Sequence, residues 1–236
     1  MTAPAAAPAA QALATIRGGL IVSCQAPADD PASGPAIMRA IALSVIAGGA
    51  VAIRAEGLDD LRAIRDATTV PLIGLWKDGA ADVYITPTVE HAMAVAGVGV
   101  ELVAVDATGR ERPDARPLQD TIDAVHGAGT GVMADIASIE DARVAADLGA
   151  DAIATTLSGY TRSGGTADAD GPDLPLLEAL AGHGTTPVIA EGRYTTPGQV
   201  RRAFDAGAWA VVVGTAITRP QVLTRGFVAA VPPRGA

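Results

Sequence analysis

The amino-acid sequence predicts an α/β chain folded as a single (β/α)8 barrel, and three observations lead there. A helix-ending glycine, a small residue and then a buried apolar run recur four times along the chain. Four more apolar runs of strand length lie between those copies, so strand-like and helix-like stretches alternate eight times. Hydrogen-bonding or ionisable residues follow most of these runs directly, where such a barrel keeps its chemistry. An open doubly wound sheet is the alternative, but no dinucleotide-binding or P-loop glycine fingerprint supports it.

The first sixteen residues are Ala/Pro-rich and carry no positive charge, so residues 1–16 read as a disordered tail, not a targeting element. Residues 20–23 form the first strand. The first repeat copy, Ala47-Gly48-Gly49-Ala50, leads into Val51-Ala52-Ile53-Arg54, and Leu58, Leu61 and Ile64 behind it fall at helical spacing. Strand three, residues 72–75, is entered through Pro71. Thr86-Pro87 then reads as an N-cap and first-turn proline. The second copy, Ala96-Gly97-Val98-Gly99, leads to Leu102-Val103-Ala104-Val105-Asp106. Residues 132–136 are strand five, and Ser138 with Asp141 is a capping pair. Leu148-Gly149-Ala150-Asp151 precedes strand six, Ala152-Ile153-Ala154-Thr155. Strand seven, residues 188–190, is entered through Pro187, and Thr196-Pro197-Gly198-Gln199 is a capping box. Ala206-Gly207-Ala208-Trp209 precedes strand eight, Ala210-Val211-Val212-Val213-Gly214. The repeat glycines suit left-handed helix ends, and the runs are apolar on both faces, as parallel strands under helices should be. The barrel domain therefore spans residues 17–230, with a short tail at residues 231–236.

At 236 residues the chain is long enough for one large domain with a well-buried core. Aromatics make up only 3%, so that core is built from Ala, Val, Ile and Leu. A net charge of −9 argues against nucleic acid or an anionic membrane as a partner. No apolar run is long enough to span a bilayer. The single cysteine, Cys24, excludes an internal disulfide framework, fits a reducing cytoplasm, and reads as a small buried side chain. The mean hydropathy of +0.31 is compatible with a homodimer.

Lys77 is the one lysine among 17 basic residues, and it stands directly after the third strand. Lysine, unlike arginine, offers an amine that burial or a neighbouring charge can turn into a base. The other strand ends carry Gln25, Arg54, Asp106, Asp135, Thr155 with Thr156, Glu191 and Gly214. The last two strands lead into Glu191-Gly192-Arg193 and Gly214-Thr215-Ala216-Ile217-Thr218-Arg219-Pro220, the two loops that bind phosphate in barrels of the phosphate-binding type. Gly192 and Gly214 would let backbone amides approach an anion, with Thr215 beside them, and Arg193 and Arg219 would add charge-assisted bonds. His91, His126 and His183 show no metal-ligand spacing and read as surface or helix-cap residues, so no metal or cofactor is expected.

Together these segments resemble the N-acetylmannosamine-6-phosphate 2-epimerase family. The resemblance rests on Ile21-Val22-Ser23-Cys24-Gln25-Ala26, Gly48-Gly49-Ala50-Val51-Ala52-Ile53-Arg54, Val83-Tyr84-Ile85-Thr86-Pro87-Thr88, Met133-Ala134-Asp135-Ile136, Thr155-Thr156-Leu157-Ser158-Gly159-Tyr160-Thr161 and the two anion loops. It runs from about residue 18 to 228 and implies epimerisation at carbon 2 of a phosphorylated amino sugar, in sialic acid catabolism, without a cofactor. It implies Lys77 as proton carrier and Glu191 and Asp135 as the rest of the catalytic centre. Gln25, Arg54 and Thr156 are implied substrate contacts. Gly192, Arg193, Gly214, Thr215 and Arg219 are the implied phosphate site. Two departures stand out: Asp78 follows Lys77 where relatives carry a basic residue, with a short lead-in to residues 83–88, and Gly109 and Glu111 replace lysines.

Inverting carbon 2 requires a base that removes the proton beside an open-chain carbonyl and returns it to the other face. Arg54 and desolvation would lower the Lys77 pKa, while Glu191 and Asp135 would raise it. Two other functions use the same scaffold: a Schiff-base aldolase or lyase of phosphosugars, and a non-catalytic phosphosugar sensor.

Overall fold

Strand alternation decides which residues enter the barrel, because successive side chains point to opposite faces. The eight apolar runs become β1 (Leu20–Cys24), β2 (Ala52–Glu56), β3 (Leu72–Leu75), β4 (Leu102–Asp106), β5 (Gly131–Asp135), β6 (Ala152–Ala154), β7 (Val188–Ala190) and β8 (Ala210–Val213). They pair in sequence order, all parallel, and β8 closes on β1 through Leu20–Val211, Ile21–Val212 and Val22–Val213. This computed structural model describes residues 7–161, 171–182 and 184–232.

One set of strand residues (Ile21, Ala52, Ile73, Leu75, Leu102, Ala104, Met133, Ala152, Ala154, Ile189, Ala210 and Val212) packs together in the barrel interior. The intervening set, including Val22, Ile53, Val103, Val105, Val132 and Ala134, packs outward beneath the helices. The surrounding helices are α2 (Pro35–Ala47), α3 (Leu58–Arg65), α4 (Val89–Ala96), α5 (Leu118–Gly127), α6 (Ile139–Asp147), α7 (Leu174–Ala181) and α8 (Pro197–Asp205). Gly49, Gly99, Gly149 and Gly207, from the four repeats, take positive φ and turn the chain from helix to strand. Ser138 caps α6, and Thr196 with Gln199 forms the capping box of α8. The cap of α4 is Thr88, not Thr86; Thr86 is completely buried with φ 47 and has another task.

The tail expected at residues 1–16 is corrected in part: residues 7–16 form helix α1 (Ala7–Ile16). Ala9, Ala12, Leu13 and Ile16 lie on one helical face and are buried, closing the end of the barrel opposite the strand C-termini. A Cβ on Gly131 would come within 2.5 Å of the Ala9 Cβ, so glycine permits this contact. Trp209 Nε1 donates to the Leu13 carbonyl at 2.8 Å, and the Arg17 guanidinium stacks 4.5 Å from the Trp209 ring centre. Alanine-rich sequence looked featureless, but alanine is the strongest helix former and suits a narrow interface. Residues 1–6 lie outside the described residues.

After β8 come the one-turn helix α9 (Thr215–Thr218) and α10 (Pro220–Ala229). No residue of α10 is buried; Phe227 is 78% exposed and Val228 62%. Of the tail at residues 231–236, only Val231 and Pro232 are described. No described helix is long and apolar enough to cross a membrane.

Candidate active site

The alternation that places Ala52, Ile73, Leu75, Met133, Ala154, Ile189 and Val212 inside also points Arg54, Lys77, Asp135, Thr156, Glu191 and Gly214 toward the barrel axis. Gln25 continues the same register from Ile21 and Ser23. At the mouth these residues surround an open cavity of about 740 Å3. Gln25, Arg54, Lys77, Thr156, Glu191, Gly192, Arg193, Gly214, Thr215 and Arg219 all line it. Asp135 does not, and neither does Asp106.

The floor is a buried ion cluster. Arg54, 1% exposed, donates from Nη1 and Nη2 to the two carboxylate oxygens of Asp135, at 3.0 and 2.6 Å. Its Nη1 also donates to Glu191 Oε2 and, at 3.2 Å, to Thr156 Oγ1. Burial opposes the charge on Arg54, but Asp135 and Glu191 together outweigh it and raise its pKa. Thr156 Oγ1 lies 2.6 Å from Asp135 and 3.2 Å from Glu191, bridging the two carboxylates. The neighbouring Thr155 holds the Glu191 backbone, donating to its carbonyl at 2.8 Å and accepting from its amide at 3.0 Å. Burial pushes the Glu191 carboxyl above the usual range, against the pull of Arg54.

Arg54 reaches the cavity wall, whereas Asp135 lies beneath it. Asp135 is completely buried, and the Arg54 Nη atoms are occupied by acceptors of its own chain. Arg54 thus lines the cavity beside Glu191, which it holds in place.

Lys77 faces the opening. Its Nζ donates to Gln25 Oε1 at 2.7 Å, and Gln25 Nε2 in turn donates to Ser23 Oγ at 2.9 Å. Ser23 thus orients the amide so that its oxygen meets the amine. The amine remains open to the mouth, yet the surrounding wall desolvates it and lowers its pKa below 10.5. Glu56 opposes that lowering, Arg54 reinforces it, and Glu191 and Asp135 oppose it. Glu56 was missed in the sequence; its position two residues beyond Arg54, on the same strand face, was the available signal. Asp78 bonds His91 Nε2 at 3.1 Å, and the His91 ring lies against Trp76.

The loops that carry Gly192 with Arg193 and Gly214 with Thr215 frame the other side. Gly192 takes φ 108 and Arg193 φ 58, the latter rare for a residue with a side chain. The Arg193 side chain donates to the carbonyls of Gly171 (2.7 Å) and Ser158 (2.6 Å) and stacks over Tyr160. Arg219 is held by Asp30 Oδ2, with Nε at 2.9 Å and Nη2 at 2.8 Å. Asp106, the remaining strand-end carboxylate, is turned to Thr108 and Arg110 and stabilises its own loop. Cys24 is buried and free, its thiol pushed up to about 12 by desolvation. His126 bonds Asp151, and His183 lies outside the described residues. Among the described residues, no three His, Cys, Asp or Glu side chains converge as a metal would require.

A lysine at the mouth, a buried carboxylate cluster beneath it and two glycine-bearing loops beside it make up the site of a chain that has relatives among known proteins. The family described as "Putative N-acetylmannosamine-6-phosphate epimerase" matches residues 38–232. Two relatives named "Putative N-acetylmannosamine-6-phosphate 2-epimerase" are 49% (Cutibacterium acnes) and 48% (Thermosynechococcus vestitus) identical, each over 91% of this chain and 94% of its own length. The structure of the N-acetylmannosamine-6-phosphate 2-epimerase from Clostridium perfringens superposes with a TM-score of 0.89 at 41% identity, covering 93% of this chain and 96% of that one. The chain belongs to the N-acetylmannosamine-6-phosphate epimerase family.

Proposed function

We propose that this protein interconverts N-acetylmannosamine 6-phosphate and N-acetylglucosamine 6-phosphate by removing and returning the proton on carbon 2. The observation that carries this reading is the sole lysine, with a lowered pKa, hydrogen-bonded to Gln25 in a cavity shared with Glu191 and both anion loops. A phosphate held by the amides of Gly192, Arg193, Gly214 and Thr215, with Arg219 adding charge, anchors the sugar. Anchoring makes the proton transfer effectively intramolecular.

In the open-chain sugar the neutral Lys77 amine takes the carbon-2 proton. The released electron pair forms a carbon 1–carbon 2 double bond, and the carbonyl pair moves onto oxygen 1. Glu191, held by Arg54, orients the sugar hydroxyls and assists ring opening. Return of a proton to the opposite face of carbon 2, as the electron pair on oxygen 1 reforms the carbonyl, yields the epimer. Gln25 and Thr156 meet the acetamido and hydroxyl groups, while Arg54 and Asp135 hold Glu191 from below.

A cytoplasmic location and the absence of nucleic-acid or membrane partners go with this reading, supported by the unpaired Cys24 and the net charge of −9. A homodimer is supported by the uncovered apolar residues of α10, chiefly Phe227 and Val228; sedimentation of a Phe227→Asp variant as a monomer would agree with it.

The deciding assay is NMR of purified protein with N-acetylmannosamine 6-phosphate in deuterated water. The expected result is appearance of the epimer with deuterium at carbon 2, abolished by Lys77→Ala. Appreciable turnover by Lys77→Ala ends the assignment. A borohydride-trapped adduct on Lys77 would instead favour a Schiff-base enzyme.

A further inference from the structure

Residues 83–88 and 106–113 reach the cavity only through Tyr84 and Ile85. The sheet shows what they do. Strands β3 and β4 pair only at Ile73–Leu102 and Gly74–Val103. Beyond that point the backbone carrying Lys77 no longer has β4 as its neighbour, and residues 84–86 fill the gap.

On one edge this segment pairs with the continuation of β3. Asp78 donates its amide to the Tyr84 carbonyl at 3.0 Å, Thr86 donates to the Trp76 carbonyl at 2.8 Å, and Lys77 and Ile85 form an antiparallel bridge. On the other edge it is tied to β4: Asp106 donates to the Ile85 carbonyl at 3.1 Å, and Thr86 Oγ1 donates to the Ala104 carbonyl at 2.6 Å. Thr86 is the hub. Its hydroxyl also accepts the Trp76 amide at 3.2 Å, so both backbone groups of the residue before Lys77 end on Thr86.

Thr86 is completely buried and held at φ 47, a conformation that a β-branched residue resists. Arg112 keeps it there. Its Nη2 donates to the Thr86 carbonyl at 2.8 Å and its Nη1 to the Asp106 carbonyl at 2.7 Å, clamping the inserted segment to the end of β4. Arg112 is 7% exposed, and among the described residues it forms no salt bridge and its Nε has no partner. A buried cation resting on two carbonyls is costly for stability alone, since apolar packing would serve better.

We infer that Thr86 and Arg112 are positioning residues that fix how far Lys77 projects into the barrel mouth, acting through Trp76. The inference rests on Lys77 being the proton carrier. It explains why the lysine, at the end of a strand extension without a β4 neighbour, is presented in one place. With the clamp loosened, the amine is free to move outward into water and away from the desolvating wall.

Because Lys77 is the only lysine, 13C-dimethylation gives one side-chain NMR signal besides that of the N-terminal amine. Its titration reads the surroundings of Lys77 without reference to catalysis. In Thr86→Ala and Arg112→Gln, neither of which adds a lysine, the Lys77 titration should move upward, toward the usual lysine value, and in Thr86→Ser it should stay at that of the wild type. Turnover on the proposed substrate should show kcat down by about 10–100-fold with KM little changed in the first two variants, because the phosphate loops are untouched. Thr86→Ser should recover most of the loss. If Thr86→Ala does not fold, Arg112→Gln, which keeps one donor for the two carbonyls in place of the buried cation, makes the same test. An unchanged titration in folded Arg112→Gln overturns the inference. Wild-type protein without carbon-2 exchange but with the titration shifts intact would leave the clamp standing and remove the proposed reaction instead.

Discussion

Replacing Asp135 by asparagine removes one charge from beneath the cavity with almost no change of shape. In the wild type both oxygens of Asp135 accept from an arginine that is 1% exposed, at 3.0 and 2.6 Å. An asparagine amide offers one acceptor, so one of these bonds becomes a donor facing a donor. Glu191 is then the one carboxylate bonded to the guanidinium. Removing one partner of a buried ion pair costs about 3–5 kcal/mol. Glu191 remains, so the lower end, about 3 kcal/mol, is expected. For a chain of this length 1 kcal/mol moves the midpoint by about 2–4 °C, so unfolding should shift down by about 6–12 °C. Thermal unfolding followed by circular dichroism at pH 7 measures this directly. The double variant Arg54→Met/Asp135→Asn should lose less than the sum of the two single changes, because each leaves the other's partner uncompensated. A fall of less than about 2 °C in Asp135→Asn would refute the view that Asp135 carries the buried charge of Arg54.

Glu56→Gln should move the ascending limb of the kcat/KM profile to lower pH. The Glu56 carboxylate favours the ammonium form of Lys77, so its loss lowers the lysine pKa further and frees the amine earlier; a limb that moves upward would contradict this. Arg219→Met should raise KM about tenfold or more with kcat little changed, since a bond to a charged group is worth about 1.5–3 kcal/mol; steady-state kinetics decides it. Ile16→Ala, in the helix that closes the barrel, should cost about 2–5 kcal/mol of stability, measured by urea unfolding, with kcat unaffected. Gly74→Ala should destabilise the protein by about 1–3 kcal/mol in the same assay, because the new Cβ would meet Val95 Cγ1 at 2.7 Å.

Much of this molecule was legible in its sequence because the governing rules are local. The four glycine repeats mark helix-to-strand turns, and the apolar runs between them mark strands covered on both sides. Alternation along a strand then points Arg54, Lys77, Asp135 and Glu191 inward once Ile73, Met133 and Ile189 are known to be core. Helix α1 escaped notice because alanine serves equally well in a tail and in a tight interface. Thr86 passed for a helix cap because its neighbour is proline, whereas its buried φ of 47 depends on an arginine 26 residues away.

The sequence by itself determined the barrel, the ring of polar strand ends and the lysine that stands apart among the basic residues. Only the tertiary structure decided which of those ends meet. Closure of the barrel brings Arg54 against Asp135, 81 residues on, and against Glu191, 137 residues on. That contact turns one carboxylate into a buried support and leaves the other at the cavity. The physical reason is that a strand's pattern reveals the direction of a side chain. The charge that side chain must neutralise comes from whichever strand the closed sheet sets across from it.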